Sequence, residues 1–130
     1  MALFAISDLH LSFGSDKPMN VFKGWENHTE RLESAWRRVV GKDDTVILGG
    51  DTSWALKTAD AAPDFKFIES LPGKKILIKG NHDLWWPTVK KLREFFEENE
   101  IKSVDILYNN SFPAGDFSIC GSRGWLYDGS

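Results

Sequence analysis

Short apolar runs alternate along this chain with segments of helical periodicity, and that alternation limits the fold more than any other feature. Four apolar runs are predicted as strands, at residues 3–7, 45–48, 75–78 and 104–108. Helices are predicted between them, over residues 25–39, 55–71 and 87–98. Strands that alternate with helices are typical of a layered fold with a mainly parallel sheet. We therefore predict an α/β fold in which helices flank the sheet.

Prolines and a short turn mark further boundaries. Pro63 is predicted to interrupt the second helix, and Pro87 to lie in the first turn of the third. Residues 113–116 separate two short apolar runs, 111–112 and 117–120, and this pattern predicts a hairpin after the fourth strand.

Composition excludes several classes of protein. The length of 130 residues fits one domain, and hydrophobic and aromatic contents of 42% and 13% exclude a disordered chain. The net charge of −3 gives no electrostatic basis for binding long nucleic acids. Cys120 is the sole cysteine, so an intrachain disulfide is impossible. Asp8 and His10 interrupt the apolar N-terminus before a signal peptide or membrane span could form, so we expect a soluble cytoplasmic protein.

Side chains that bind metals follow three of the predicted strands. Asp8 and His10 follow the first strand, Asp51 the second and Asn81 the third. The carboxyl ends of parallel strands meet at one edge of a sheet, where α/β proteins bind their ligands. Asp8 and His10 are two residues apart, so both side chains point the same way if the segment is extended. A carboxylate with an imidazole suits Mn, Fe or Zn better than Mg or Ca.

Neighbouring residues add to the chemistry of this edge. Asp51 offers two oxygens that could bridge two ions, and Asn81 offers a neutral carbonyl oxygen. His82 could donate a proton or stabilise charge on a phosphoryl group. Asp83 could fix the tautomer of the His82 imidazole. Each motif alone is common in turns and helix caps, but three of them, each after a strand, indicate a functional site.

Three blocks, in this order, resemble those of the calcineurin-like metallophosphoesterase superfamily: Asp8-Leu9-His10, Gly50-Asp51 and Gly80-Asn81-His82-Asp83. The resemblance implies a β-sandwich with flanking helices, of which this chain would form the first half. It also implies a site for two divalent metal ions between the sheets. Asp8 and His10 would bind one ion, Asp51 would bridge both, and Asn81 would bind the second.

The same resemblance implies phosphoesterase activity. A metal-bridging hydroxide would attack the phosphorus of a phosphomonoester or phosphodiester substrate, and the two ions would stabilise the developing charge. His82 would contact the phosphate, supported by Asp83. Arg123, in a glycine-rich stretch, could also reach a phosphate, and a surface salt bridge is an equal alternative.

The chain departs from the family pattern in two places. Members often carry an acidic residue a few positions after Gly-Asp, where this chain has Thr52, Ser53 and Trp54. The pattern also continues into later histidine motifs, but nothing after His82 is a histidine. His28 lies on the apolar side of the first helix and is interpreted as a partly buried helix residue. The metal site of this chain is therefore expected to be incomplete.

We accordingly expect residues 1–130 to form a single domain that is the N-terminal part of a longer phosphoesterase, with little activity alone. Exposed apolar faces would favour a homo-oligomer or a swapped partner. The alternatives are a non-catalytic binding or scaffold module on the same fold, and a regulatory metal sensor that uses Asp8, His10 and Asp51. Trp85 and Trp86 are interpreted as core residues, with an aromatic wall beside the site as the alternative.

Overall fold

A computed structural model describes residues 1–122 of the chain. These residues form six strands: β1 (Leu3–Ile6), β2 (Thr45–Leu48), β3 (Lys74–Leu77), β4 (Val104–Ile106), β5 (Asn110–Ala114) and β6 (Phe117–Gly121). They also form three α-helices: α1 (His28–Val39), α2 (Ala62–Ser70) and α3 (Val89–Glu98). Short 3₁₀ helices lie at Met19–Val21 and Thr58–Ala61.

The first four strands form one parallel sheet in the order β1-β2-β3-β4. In its register, Val46 of β2 lies between Phe4 of β1 and Lys75 of β3. Strands β5 and β6 form a separate antiparallel hairpin. The predicted α/β fold with a parallel sheet is confirmed, and the predicted strands end within two residues of the observed bounds.

The hydrophobic core lies between one face of the sheet and the three helices. It comprises residues from all three helices and from alternate strand positions, among them Trp36, Phe65, Leu92, Phe96, Val46, Leu48, Leu77 and Ile106. Burying each such side chain contributes about 1.5–3 kcal/mol, which outweighs the weak local preference of short helices. The hairpin reaches the opposite face, where the Lys74 Nζ lies 5.3 Å from the ring centroid of Phe112.

The helix starts differ from the prediction for identifiable reasons. Helix α1 begins three residues later than predicted, after Asn27, whose φ of 54° is left-handed. The predicted helix over residues 55–71 is divided at Pro63: a 3₁₀ helix over Thr58–Ala61 precedes α2, and Pro63 lies in the first turn of α2, where N–H groups have no partner inside the helix. The predicted position of Pro87 was wrong. Thr88 caps α3 by accepting a hydrogen bond from the Lys91 N–H at 3.2 Å, so Pro87 precedes the helix.

Two further predictions concern the membrane and the chain's end. Within residues 1–122, no helix is long and apolar enough to cross a lipid bilayer. Arg123, the predicted phosphate contact, lies outside the described residues.

Candidate metal centre

The segment after β1 runs beside the segment after β2 and brings two of the predicted blocks together. The N–H of Asp8 donates to the Gly50 carbonyl at 2.9 Å, and the N–H of His10 donates to the Asp51 carbonyl at 3.0 Å. These bonds extend the parallel pairing of the two strands beyond the sheet. The side chains of Asp8, His10 and Asp51 therefore meet at the carboxyl edge of the sheet.

These three side chains form a cluster with the composition of a metal site. One possible ligand atom from each residue lies within 4.8 Å of the others. The His10 Nε2 is 3.5 Å from an Asp8 carboxylate oxygen. The His10 and Asp51 side chains are only 13% and 11% exposed, whereas Asp8 is 57% exposed. Two carboxylates and one imidazole, with one open side, fit a divalent transition-metal ion.

The backbone of the cluster is left-handed, not extended. Asp8, His10 and Asp51 have φ values of 59°, 46° and 51°. The argument that Asp8 and His10 converge because their segment is extended was therefore wrong, although their side chains do converge. Left-handed backbone at a non-glycine residue costs about 1–2 kcal/mol, and such strain concentrates at functional sites.

His82 contacts the cluster through Asp51. Its ring Nδ1 is 3.0 Å from one Asp51 carboxylate oxygen, and its backbone N–H donates to the other oxygen at 2.9 Å. Partial burial opposes the charged form of Asp51, but the bonds from His82 outweigh it, so the pKa of Asp51 lies below its ordinary value. Because Nδ1 faces Asp51, the Nε2 of the half-exposed ring is the nitrogen available to another molecule.

The predicted contact between Asp83 and the His82 ring was wrong. The Asp83 carboxylate is fully buried and accepts five N–H hydrogen bonds, from the backbones of Asp51, Thr52, Ser53 and Gly80 and from the Trp85 ring. Its oxygens point into the protein and bind the backbones of both loops. Asp83 therefore holds the loop after β2 and the loop after β3 together. Asp51, not Asp83, orients the His82 ring. Burial raises the pKa of Asp83 above its ordinary value, and the N–H donors only partly offset this effect.

Asn81 shares an open cleft of about 320 Å³ with Asp8 and Asp51. Its neighbour Gly80 packs so closely that an added Cβ would lie 2.2 Å from the Asp51 backbone nitrogen. The loop after β3 can therefore approach Asp51 only with glycine at that position. This close approach brings the exposed Asn81 side chain to the edge that carries the cluster.

Sequence reasoning missed Trp54. Its ring stacks on His10 with centroids 4.7 Å apart and planes 20° apart, and its centroid is 5.8 Å from that of His82. The sequence offered one sign of this role. Trp54 lies three residues after Asp51, in a stretch where family members often carry an acidic residue, but this difference was read only as a departure from the family pattern. Trp85, by contrast, is buried against Phe65, with centroids 5.1 Å apart, so its interpretation as a core residue is confirmed.

His28 is half-buried at the start of α1, as predicted. Burial lowers its pKa below the ordinary value, and a hydrogen bond with the Leu9 carbonyl partly opposes this. Its Nε2 is buried and has no hydrogen-bond partner among residues 1–122. Within residues 1–122, the cluster of candidate metal ligands does not include His28.

The fold and the Asp8–His10–Asp51 cluster define an α/β protein with a candidate metal site at the carboxyl edge of its parallel sheet. The calcineurin-like phosphoesterase family matches residues 1–130, and the chain belongs to this family. Members of the family typically bind divalent metal ions.

One relative and one solved structure extend this comparison. The "Gene 66 protein" of Mycobacterium phage L5 is 42% identical over 80 residues, which cover 59% of this chain and 37% of that protein. A crystal structure of a protein of unknown function from Aquifex aeolicus superposes with a TM-score of 0.51 at 23% identity, covering 91% of this chain and 58% of the other. The second likeness concerns the fold alone. In both comparisons the match spans less than two thirds of the relative's length.

Proposed function

We propose that this chain carries the first half of the active site of a metal-dependent phosphoesterase that hydrolyses phosphomonoesters or phosphodiesters. One observation carries the proposal: ligand atoms of Asp8, His10 and Asp51 lie within 4.8 Å of one another at the carboxyl edge of the sheet. A divalent ion such as Mn²⁺, Fe²⁺ or Zn²⁺, held by these three residues, would supply Lewis acidity that stabilises charge on phosphoryl oxygens and makes water a better nucleophile.

The roles of the chain's own residues follow from their contacts. Asp8 and His10 would bind one ion, and Asp51 would place its carboxylate toward that ion and a second one held partly by Asn81. The His82 Nδ1 bonds Asp51, which holds the ring in place and leaves Nε2 for the substrate. A protonated Nε2 could stabilise charge on a phosphoryl oxygen or protonate the departing oxygen.

Asp51→Asn tests the metal site. We expect the wild-type chain to bind Mn²⁺ saturably in isothermal titration calorimetry. Asp51→Asn should weaken this binding about 100-fold, because metal affinity depends strongly on ligand charge and type. Asp44→Asn is the matched control, since Asp44 precedes the other end of β2 and accepts the Gly41 and Ala2 N–H groups.

Equal Mn²⁺ affinity in wild type and Asp51→Asn would refute the proposed site. A stoichiometry of two ions per chain would indicate that further ligands come from outside the described residues, for example from a second copy of the chain.

His82→Gln tests the catalytic role of the imidazole. We expect slow Mn²⁺-dependent hydrolysis of 4-nitrophenyl phosphate or bis(4-nitrophenyl) phosphate by the wild type, and a kcat about 100-fold lower in the variant. The variant should still bind Mn²⁺ with the wild-type stoichiometry, because glutamine can also donate a hydrogen bond to Asp51. Hydrolysis that is unchanged by the substitution would exclude the role of His82. Metal binding without any hydrolysis by the wild type would favour a non-catalytic binding module.

A further inference from the structure

Asp64 is a buried carboxylate that belongs to none of the three sequence blocks. It lies in the first turn of α2 and has no exposed surface. Its oxygens accept hydrogen bonds from the Phe13 N–H at 2.8 Å and from the Ser53 hydroxyl at 2.5 Å. The Phe13 N–H can only donate, so the position requires an acceptor oxygen, and the second Asp64 oxygen binds the Ser53 hydroxyl.

The two donors lie on the two loops that carry the metal cluster. Phe13 is three residues after His10, and Ser53 is two residues after Asp51. Between them the loops pair directly, since Leu11 and Ser53 form a parallel β-bridge. Asp64 therefore joins the two loops where their backbone pairing ends, and holds both against α2.

We infer that Asp64 is a positioning residue for the metal site, and that its two hydrogen bonds hold His10 in place beside Asp51 and against the Trp54 ring. The part that concerns metal binding rests on the proposed function. The part that concerns the position of His10 does not, because the stack of His10 on Trp54 is a contact between two side chains of the chain itself. Buried groups that orient metal ligands typically change metal affinity 10–100-fold when they are removed.

Asp64→Ala tests the inference, with Glu69→Ala as its matched control on the same helix. Glu69, in the last turn of α2, likewise accepts hydrogen bonds from the backbone N–H groups of Lys102 and Ser103 and from the Ser103 hydroxyl. It therefore joins α2 to a loop in a similar way but away from the cluster. We expect both variants to lower the melting temperature, and only Asp64→Ala to weaken Mn²⁺ binding, at least 10-fold by calorimetry.

The second readout is the NMR signal of the His10 imidazole in the metal-free protein. The chain has three histidines, so the ring signals can be assigned by single substitutions. Stacking on Trp54 should shift the His10 ring protons upfield. Asp64→Ala should reduce that shift, and Glu69→Ala should leave it unchanged.

Different failures point to different errors. A wild type that binds no Mn²⁺ would refute the proposed function, while the His10 signals would still test the position of the ring. His10 signals that stay at their wild-type positions in Asp64→Ala would overturn the inference. If Asp64→Ala does not fold, Ser53→Ala removes one of the two hydrogen bonds and should produce a smaller shift in the same direction. Unchanged His10 signals in Ser53→Ala would then overturn the inference.

Discussion

Asp83→Asn is expected to lower the free energy of unfolding by about 4 kcal/mol, although the two side chains have nearly the same shape. The Asp83 carboxylate accepts five hydrogen bonds inside the protein. Asparagine replaces one accepting oxygen with an NH₂ group that donates. In either orientation, that group faces N–H donors and leaves them buried without partners.

Urea denaturation at pH 7 measures this loss. Asp105→Asn is the matched control, because Asp105 is a half-exposed partner of Lys74 at 3.0 Å and the loss of this ion pair should cost less than about 1 kcal/mol. A similar small loss in both variants would contradict the role assigned to Asp83. Because the same carboxylate holds the backbone of Asp51 and Gly80, the variant should also weaken Mn²⁺ binding.

The free energy of unfolding of the wild type is expected to rise by up to about 3 kcal/mol between pH 8 and 10.5, and Lys75→Met should remove this rise. Lys75 is fully buried in β3, where its ammonium group donates to the Leu71 carbonyl and to the Ser103 hydroxyl. Burial lowers its pKa from 10.5 to about 8, and Glu69 only partly opposes this. Burying the charged ammonium group therefore costs stability at neutral pH.

The direction of the pH effect follows from the proton count of the folded and unfolded states. Below pH 8 both states hold the Lys75 proton. Between pH 8 and 10.5 the folded protein has released it and the unfolded chain retains it, so stability rises with pH. Wild type should gain about 1.4 kcal/mol per pH unit relative to Lys75→Met over this range. Urea denaturation of both proteins at pH 7, 8, 9 and 10 measures the difference, and parallel curves would contradict the shifted pKa.

Two buried carboxylates together connect the three loops of the candidate site. Asp64 joins the loop after β1 to the loop after β2 through Phe13 and Ser53. Asp83 joins the loop after β2 to the loop after β3 through Asp51 and Gly80. Both carboxylates are fully buried and accept N–H or O–H donors, and burial raises the pKa of each above its ordinary value. The loops of the candidate site are thus held by hydrogen bonds to groups outside the cluster itself.

The strands and the candidate ligands could be predicted from the sequence because both depend on local pattern. Apolar runs such as residues 45–48 form strands wherever helices can cover them, and the order of strands and helices requires parallel pairing. Parallel pairing then places the residues after each strand at one edge, so Asp8, His10 and Asp51 were expected to be neighbours. Local pattern was less reliable at helix ends, where capping by Thr88 displaced Pro87 from the predicted first turn.

By itself, the sequence determined the α/β fold and the set of residues that meet at the carboxyl edge of the sheet. Only the tertiary structure decided what each of them contacts. Asp83 faces inward, where five buried N–H groups donate to it, and the His82 ring contacts Asp51 instead. Trp54 stacks on His10 because the loops after β1 and β2 run side by side, joined by the Leu11–Ser53 bridge and the hydrogen bond from the Trp54 N–H to the Leu11 carbonyl. Such contacts depend on the packing of non-adjacent segments, which neither periodicity nor motif spacing records.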